Sequence, residues 1–555
     1  MYNTNKNPSL VDRQQDLLRH LSERGRVKAT SDEFSVISTN HGRVDFVLGL
    51  LDEFELYPDG TNSGKSNAES EKYRLKGNEM FKLKCNDKSI EYYTQSIAHA
   101  ENNTESLAIA YANRSAVLFQ IKLYKECLDD ISRALGNPYP AHLMEKLQSR
   151  QEKALNLVST QKNLEYHINI PTIENDNKNP LIECSSDAIE IKYSPNLGRH
   201  IVAKRDISPG EILAIEKPYC KILVDCFFNH CHNCLKLCYN LKPCPKCCTF
   251  LYCSDECEIS SKNYHDIECC VSKTLQDLKL DKLKLIALRT AIISKKHYNK
   301  IWNITTDEKD VYTSGNFKEI HALIANTEKR STPDLFERSF TSSILFYIIR
   351  KWTNFFDGAD EASEAAFKEI LLINLQTGPC NFHEISEITQ NEDGVYAPVE
   401  IGSGSYSFLS MLNHSCTPNV LRNCYGSAIV LRCLETIREG EQCFDNYGYH
   451  YAIMVKSDRQ KHLSKQYFFD CLCLACEEDW PLYEDLSLVK EGLYIPSADL
   501  EDLQLGNRRT AKKILKEHLG KLQEVEKFKP SKNLAELQEV IKQCYALNAN
   551  MRSIV

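Results

Sequence analysis

No run of 18 apolar residues occurs in this chain, and a helix needs about 20 to span the hydrocarbon core of a bilayer. A membrane-spanning helix is therefore not expected. The first ten residues, MYNTNKNPSL, lack the basic-then-apolar order of a secretory leader. Positive charge is also in short supply: 68 Lys and Arg stand against 76 Asp and Glu, a formal net charge of -8. That balance argues against a chain built mainly to bind nucleic acid. Cysteine, in contrast, is plentiful, with 24 in 555 residues. Without a secretion signal these thiols should stay reduced, in cytoplasm or nucleus, and clustered ones should hold metal. The length suggests roughly three or four domains, and an apolar content of 42% is ample for packed cores.

Between Cys231 and Cys269 eight metal-ligand residues fall in 39 positions: Cys231-x2-Cys234, Cys244-x2-Cys247, Cys253-x3-Cys257 and His265-x3-Cys269. Four paired half-sites suffice for two tetrahedral zinc ions. A segment this short has no core of its own, so metal would supply its folding free energy. The competing reading, a disulfide knot, requires secretion, and nothing else in the chain looks secreted. The spacing, with Tyr252 just before the third pair, resembles the MYND zinc finger. The resemblance implies interleaved ligation, with Cys231, Cys234, Cys253 and Cys257 on one ion and Cys244, Cys247, His265 and Cys269 on the other. It also implies a proline-containing peptide as a partner of the finger. Cys238, Cys248 and Cys270 fall outside the pattern and read as ordinary thiols.

A second cluster lies downstream at Cys471-x-Cys473-x2-Cys476. Three thiolates leave a tetrahedral zinc one ligand short. Cys416, in the heptapeptide Asn413-His414-Ser415-Cys416-Thr417-Pro418-Asn419, is the candidate for the fourth. That heptapeptide is polar yet follows the apolar stretch Phe408–Leu412; a turn closed by Asn, Ser and Pro is the competing explanation. With Glu439-Gly440-Glu441 and Phe444-Asp445-Asn446-Tyr447 between the two clusters, the pattern resembles a SET-domain lysine methyltransferase. A zinc finger inserted near the start of that domain marks the SET-and-MYND family, and the match covers about 190–480. Short alternating strands are predicted at Ile189–Lys192, His200–Lys204 and Ile212–Glu216.

The resemblance implies transfer of a methyl group from S-adenosylmethionine to a lysine side chain of a histone or non-histone protein. Tyr447 would be the catalytic tyrosine. Asn413, His414 and Ser410 would hold the cofactor, with Asn381 from Pro379-Cys380-Asn381-Phe382 and Gly198 and Arg199 from the first loop. Tyr467 and Phe469 would pack on the cofactor and the lysine channel. The sequence departs from the family pattern at two places. His200 replaces the second glycine of the first loop, and about ten extra residues, Thr389–Val399, precede Gly402.

In the N-terminal third, small and aromatic positions recur at a shift of 38, as in Ser89/Cys127, Tyr93/Ile131 and Ser96/Ala134. This resembles tetratricopeptide repeats, with Leu143–Leu157 as a third element; an unrelated helical bundle is the alternative. Arg74, Asn78, Asn113, Lys146 and Arg150 match the carboxylate clamp by which such repeats hold the C-terminal tail of heat-shock chaperones. Two asparagines and three cations suit a terminal carboxylate; solvated helix charges are the bland reading.

The expected fold is multidomain α+β: a helical extension and linker (1–69), repeats (70–159), the first part of the SET domain (185–230), the finger (231–270), a helical insert (271–390), the SET core (391–450), a post-SET zinc segment (451–480) and a helical C-terminal segment (481–555). The C-terminal segment reads as short for the family. Three zinc ions and S-adenosylmethionine are the expected cofactors, and a protein with an accessible lysine the substrate. The rival function is a scaffold that recruits partners through finger and repeats.

Overall fold

A computed structural model describes residues 8–60, 64–160, 169–224, 228–303, 311–391, 393–489 and 495–552. Residues 1–7, at the start of the helical extension, and residues 161–168, which follow the repeats, lie outside them.

Three helices open the chain: α1 (Leu10–Glu23), α2 (Val27–Ser35) and α3 (Asn40–Phe54). Ser9 and Asp12 start α1 with a reciprocal capping box, which satisfies two backbone donors that a helix end leaves orphaned. The helical pairs α4 (Asn67–Lys82) with α5 (Asn86–His99), and α6 (Glu105–Gln120) with α7 (Tyr124–Leu135), follow, then α8 (Met144–Leu157). This arrangement fits tetratricopeptide repeats. The small residues have physical reasons. A Cβ on Gly77 would sit 2.6 Å from the Tyr93 ring, and the Ser89 hydroxyl donates to the Gly77 carbonyl at 2.9 Å. Ser96 likewise donates to the Ser70 carbonyl. Close helix approach thus depends on serine and glycine at these positions.

The SET region begins with the hairpin β1 (Ile189–Ser194) and β2 (Gly198–Ala203), then β3 (Ile212–Glu216) and β4 (Cys220–Leu223). The chain then leaves the sheet. The finger holds the short hairpin β5 (Lys242–Pro243) and β6 (Leu251–Tyr252), and runs into α9 (Asp255–Asp277). Ser254 caps α9 by accepting from the Cys257 amide, so helix start and third ligand pair are one feature. The insert continues as α10 (Lys282–Ile293), α11 (Phe317–His321), α12 (Thr332–Trp352) and α13 (Glu361–Asn381).

The helical insert ends at Asn381, not at 390. Residues 382–390 are β7 (Phe382–Gln390), which pairs with β8 (Tyr396–Ser405). β8 also pairs with β4, Cys220 opposite Ser405, so the segments before and after the long excursion through finger and insert meet in one sheet. The ten extra residues therefore lengthen a hairpin of that sheet. Then come β9 (Asn413–His414), β10 (Val420–Tyr425), β11 (Ala428–Cys433) and β12 (Phe444–Asp445), followed by α14 (Lys456–Tyr467), α15 (Leu474–Glu477), α16 (Ser497–Gln504), α17 (Arg508–Val525) and α18 (Lys532–Asn548). β11 lies between β10 and β3 in an antiparallel sheet. Leu522, Val525, Leu534 and Ile541 of the C-terminal helices pack on Leu421 and Leu434 of the SET core.

The N-terminal extension is not an appendage. Leu17, Leu21, Phe34, Val47 and Leu51 share one core with Phe340, Ile344, Phe367 and Leu371 of α12 and α13. Tyr57 stacks on Tyr347 at 3.8 Å. Asn40 donates to Glu369 at 2.8 Å and accepts from Gln376 at 3.1 Å.

A buried ion pair within the repeats also reaches the finger. Arg114 and Asp130 are both fully buried. Arg114 Nε and Nη2 donate to the two Asp130 oxygens at 2.7 and 2.9 Å, and Nη2 also donates to the Leu241 carbonyl at 2.8 Å. Arg133 adds a bond to the Asn240 carbonyl, and Leu237 and Tyr239 enter the repeat core. Removing one partner of such a pair strands a buried charge. Arg114→Ala should therefore cost about 3–5 kcal/mol in chemical denaturation, whereas the joint apolar variant Arg114→Met/Asp130→Leu should stay near wild type.

Candidate functional site

The twelve predicted ligands form three groups of four: Cys231, Cys234, Cys253 and Cys257; Cys244, Cys247, His265 and Cys269; Cys416, Cys471, Cys473 and Cys476. The donor atoms of each group lie within 4.8 Å of one another. Contacts such as Cys234–Cys253 at 3.6 Å, Cys244–Cys269 at 3.8 Å and Cys416–Cys476 at 3.5 Å match a zinc tetrahedron, whose edges are roughly 3.8 Å for a bond of about 2.3 Å. Among the described residues every cysteine is free of disulfide bonding, which removes the disulfide-knot reading. These are three zinc-binding sites, and their ligand pairing is interleaved.

The third site lies against the predicted reaction centre. β9 and β12 run parallel, setting Asn413 beside Phe444 and His414 beside Asp445. His414 is buried, and burial pushes its imidazole down to about 4, so it is neutral. Its Nδ1 accepts from the Tyr447 amide at 3.1 Å. The Tyr447 hydroxyl donates to the Leu412 carbonyl at 2.6 Å, and burial holds the phenol well above its usual value. The Tyr447 ring lies 4.7 Å from that of Tyr467 and 5.1 Å from that of His414, with Phe469 6.2 Å from His414. At the end of α13, the Asn381 side chain donates to the Ile324 carbonyl, and the Asn381 carbonyl accepts from the Ser410 hydroxyl at 2.8 Å. Gly198 has φ of +65°, a left-handed conformation suited to glycine, and a Cβ placed there would meet Ile324 only at 4.0 Å. The structure thus gathers residues from the first loop, the insert, the heptapeptide and the post-SET segment around one spot.

Residues 198–448 match the SET domain family. Protein-lysine N-methyltransferase SMYD4 of Danio rerio is 26% identical over 507 residues, 75% of this chain and 66% of its own length. The human protein of the same name is 25% identical, over 73% of this chain and 66% of its own length. Histone-lysine N-methyltransferase ASHR1 of Arabidopsis thaliana is 25% identical over 51% of this chain and 53% of its own length. The likeness to the SET domain thus covers the stretch that holds the gathered residues from Gly198 to Tyr447. The chain spans 66% of the length of the two SMYD4 relatives.

Several residues that support the site were not evident from sequence. Glu216, at the end of β3, is 1% exposed. It accepts from the Phe408 and Leu409 amides at 2.9 Å each, capping the turn that leads to Asn413; burial pushes its carboxyl up to about 8. Glu319 holds Arg199 at 2.8 Å, so that guanidinium is committed to the insert. Arg422 lies 2.8 Å from Asp445 and donates to His383, whose other nitrogen faces the Ser410 hydroxyl at 3.4 Å. Arg459, fully buried, donates to the Cys416 and Cys476 sulfurs. Glu216 precedes a Lys-Pro pair and Arg459 sits in a polar helix, so periodicity gave neither away. His200, which departs from the family loop, is buried, with Nδ1 3.0 Å from the Gly198 carbonyl: its ring closes its own loop.

In the repeats, Asn78 accepts from the Tyr93 hydroxyl at 2.8 Å and from Asn113 at 3.0 Å. The charges of Arg74 and Arg150 both act on Tyr93. Arg150 is bonded to the Ala112 carbonyl and Ser115 hydroxyl, Arg74 is paired with Glu71, and Lys146 is exposed. Arg74, Asn78, Asn113 and Arg150 thus lie around Tyr93, with Lys146 apart from these contacts.

Elemental analysis of the native protein should find three zinc ions per chain. Chelation should release all three and, because Cys471 closely follows Phe469 in the chain, disorder Tyr467 and Phe469, read as lost near-UV dichroism.

Proposed function

We propose that this protein is an S-adenosylmethionine-dependent protein-lysine methyltransferase, acting on a lysine of a histone or non-histone protein. The observation that carries it is the convergence of Tyr447, His414, Asn413 and Asn381 beside a complete four-cysteine zinc site. The cradle suits the cofactor: room at Gly198, amide side chains at Asn381 and Asn413, and half-buried aromatic faces at Tyr467 and Phe469. Asn413 keeps its carbonyl oxygen free of the bond its amide makes to Gln442. When bound, S-adenosylmethionine supplies an electrophilic methyl group.

The chain's own contribution is positioning and electrostatics. The Tyr447 hydroxyl directs its hydrogen at Leu412, which leaves its oxygen as an acceptor. An acceptor there orients a lysine amine and stabilises the partial positive charge of the transferring group. Neutral His414 fixes the Tyr447 backbone without adding a positive charge that would repel a cationic substrate. The aromatic rings exclude water. A scaffold-only role is not favoured, since the relatives bear methyltransferase names and the site residues are complete. Unpaired thiols suit cytoplasm and nucleus.

The repeat groove is proposed to take the free C-terminal carboxylate of a chaperone tail, with Arg74, Asn78 and Asn113 on the terminus and Lys146 and Arg150 on acidic side chains. A proline-containing peptide at the finger is constrained: it must bind away from Leu237, Tyr239, Leu241 and Pro245, which the repeats contact.

Tyr447→Phe should reduce radiolabelled methyl transfer by orders of magnitude while leaving cofactor affinity nearly intact by calorimetry; His414→Ala should weaken the affinity itself. Survival of transfer in both variants refutes the assignment. For the groove, a peptide ending in Met-Glu-Glu-Val-Asp should bind with micromolar affinity, roughly -8 kcal/mol. Its amidated form, or the variant Arg150→Ala, should bind about tenfold or more weakly; equal binding would leave the five residues a solvated face.

A further inference from the structure

A cavity of about 590 Å³ opens between the start of α12, the end of α13 and the end of α14. Its size lies within the usual range of ligand sites, about 300–1,000 Å³. Lys329, Arg330, Arg338, His462 and Lys465 line it, against a single acid, Asp334. In a chain of net charge -8 this is a local excess of positive charge.

The acid is already engaged. Asp334 accepts from Arg330 at 3.0 Å and from Arg338 at 2.9 Å. Arg330 is further bonded to the Ala325 and Gln376 carbonyls and lies over the Phe468 ring. The guanidiniums are therefore fixed structural cations that set the local potential. The ammonium groups of Lys329 and Lys465 are on exposed residues. Lys329 has one carbonyl contact, Phe468 at 3.2 Å, which leaves two of its three donors. The first turn of α12, a helix of 21 residues, adds its positive end at Ser331. A cluster of fixed and free cations around a concavity attracts oxyanions.

The cavity shares its wall with the reaction centre. Pro379 stands two residues before Asn381, and Gln466 and Phe468 flank Tyr467. Gln466 donates to the Pro379 carbonyl and accepts from the Tyr449 hydroxyl. The cavity volume exceeds what a lone inorganic anion fills, and the neighbouring site is read as one for a polypeptide.

We propose that this cavity docks a polypeptide segment bearing oxyanion side chains, carboxylate or phosphate, and so selects substrates with an acidic or phosphorylated stretch. The substrate clause rests on the methyl-transfer reading; the binding does not.

The test uses the full-length zinc-loaded chain without S-adenosylmethionine and fluorescence anisotropy of three labelled peptides: hexaglutamate, a phosphoserine peptide and hexaglutamine. All are C-terminally amidated, so that no terminal carboxylate engages the repeats. Either or both anionic peptides should bind, more weakly as salt rises, and the tighter of the two identifies the oxyanion. Lys329→Ala/Lys465→Ala should lower that affinity about tenfold or more. Lys329→Arg/Lys465→Arg should retain it, and Lys146→Ala in the repeats should leave it unchanged. Equal binding of hexaglutamine, no binding of either anionic peptide, or an unaltered alanine double variant of native zinc content would overturn the proposal. A chain that transfers no methyl group yet passes this test loses the activity and keeps the docking site.

Discussion

Four thiols hold the reaction centre together. Cys416 belongs to the heptapeptide, whereas Cys471, Cys473 and Cys476 follow the segment that carries Tyr467 and Phe469. No other covalent or coordinate link joins these parts among the described residues. Four thiolates around a divalent ion leave an excess of negative charge, and a buried excess of that kind is costly unless compensated. Arg459 supplies the compensation: it is fully buried and donates to two of the sulfurs. His414 also abuts the cluster, its Nε2 3.4 Å from the Cys416 sulfur, while its Nδ1 holds Tyr447. Metal, imidazole and tyrosine thus form one continuous chain of contacts, in the manner of outer-shell partners that orient a metal's ligands.

The finger occupies a structural position more than a peripheral one. Its ligands enter the same core as α1, α3, α12 and α13, and its 237–245 stretch is covered by the repeats. The buried Arg114–Asp130 pair makes that contact specific, since a polar network inside an apolar boundary tolerates few alternative registers. Repeats, finger and insert therefore sit as neighbours held by both apolar and polar contacts.

The zinc ligands were legible because thiol spacing is a chemical signature that survives any surrounding sequence. The heptapeptide and Tyr447 were legible as a resemblance, and the strands β1 to β3 as alternation. Other features left no local trace. β7 reads as the tail of a helical insert until its pairing with β8 is known, since a half-buried strand beside a long helix carries no distinct period. Glu216 looks like any charged residue in an exposed strand; only the fold turns it into a cap for the turn before Asn413. The role of residues 10–57 was hidden for the same reason, because amphipathic helices announce an apolar face but not what covers it.

That covering has a consequence for synthesis. The apolar faces of α1 to α3 are completed by α12 and α13, which emerge much later from the ribosome. With roughly 300 residues between them, at about 5–20 residues per second, the opening helices wait for their partner on the order of 15–60 s. Helices that short are marginal in isolation. These helices thus become native only after segments made later, and the nascent chain must be kept from aggregating through the whole interval in which repeats, finger and first SET strands are being completed.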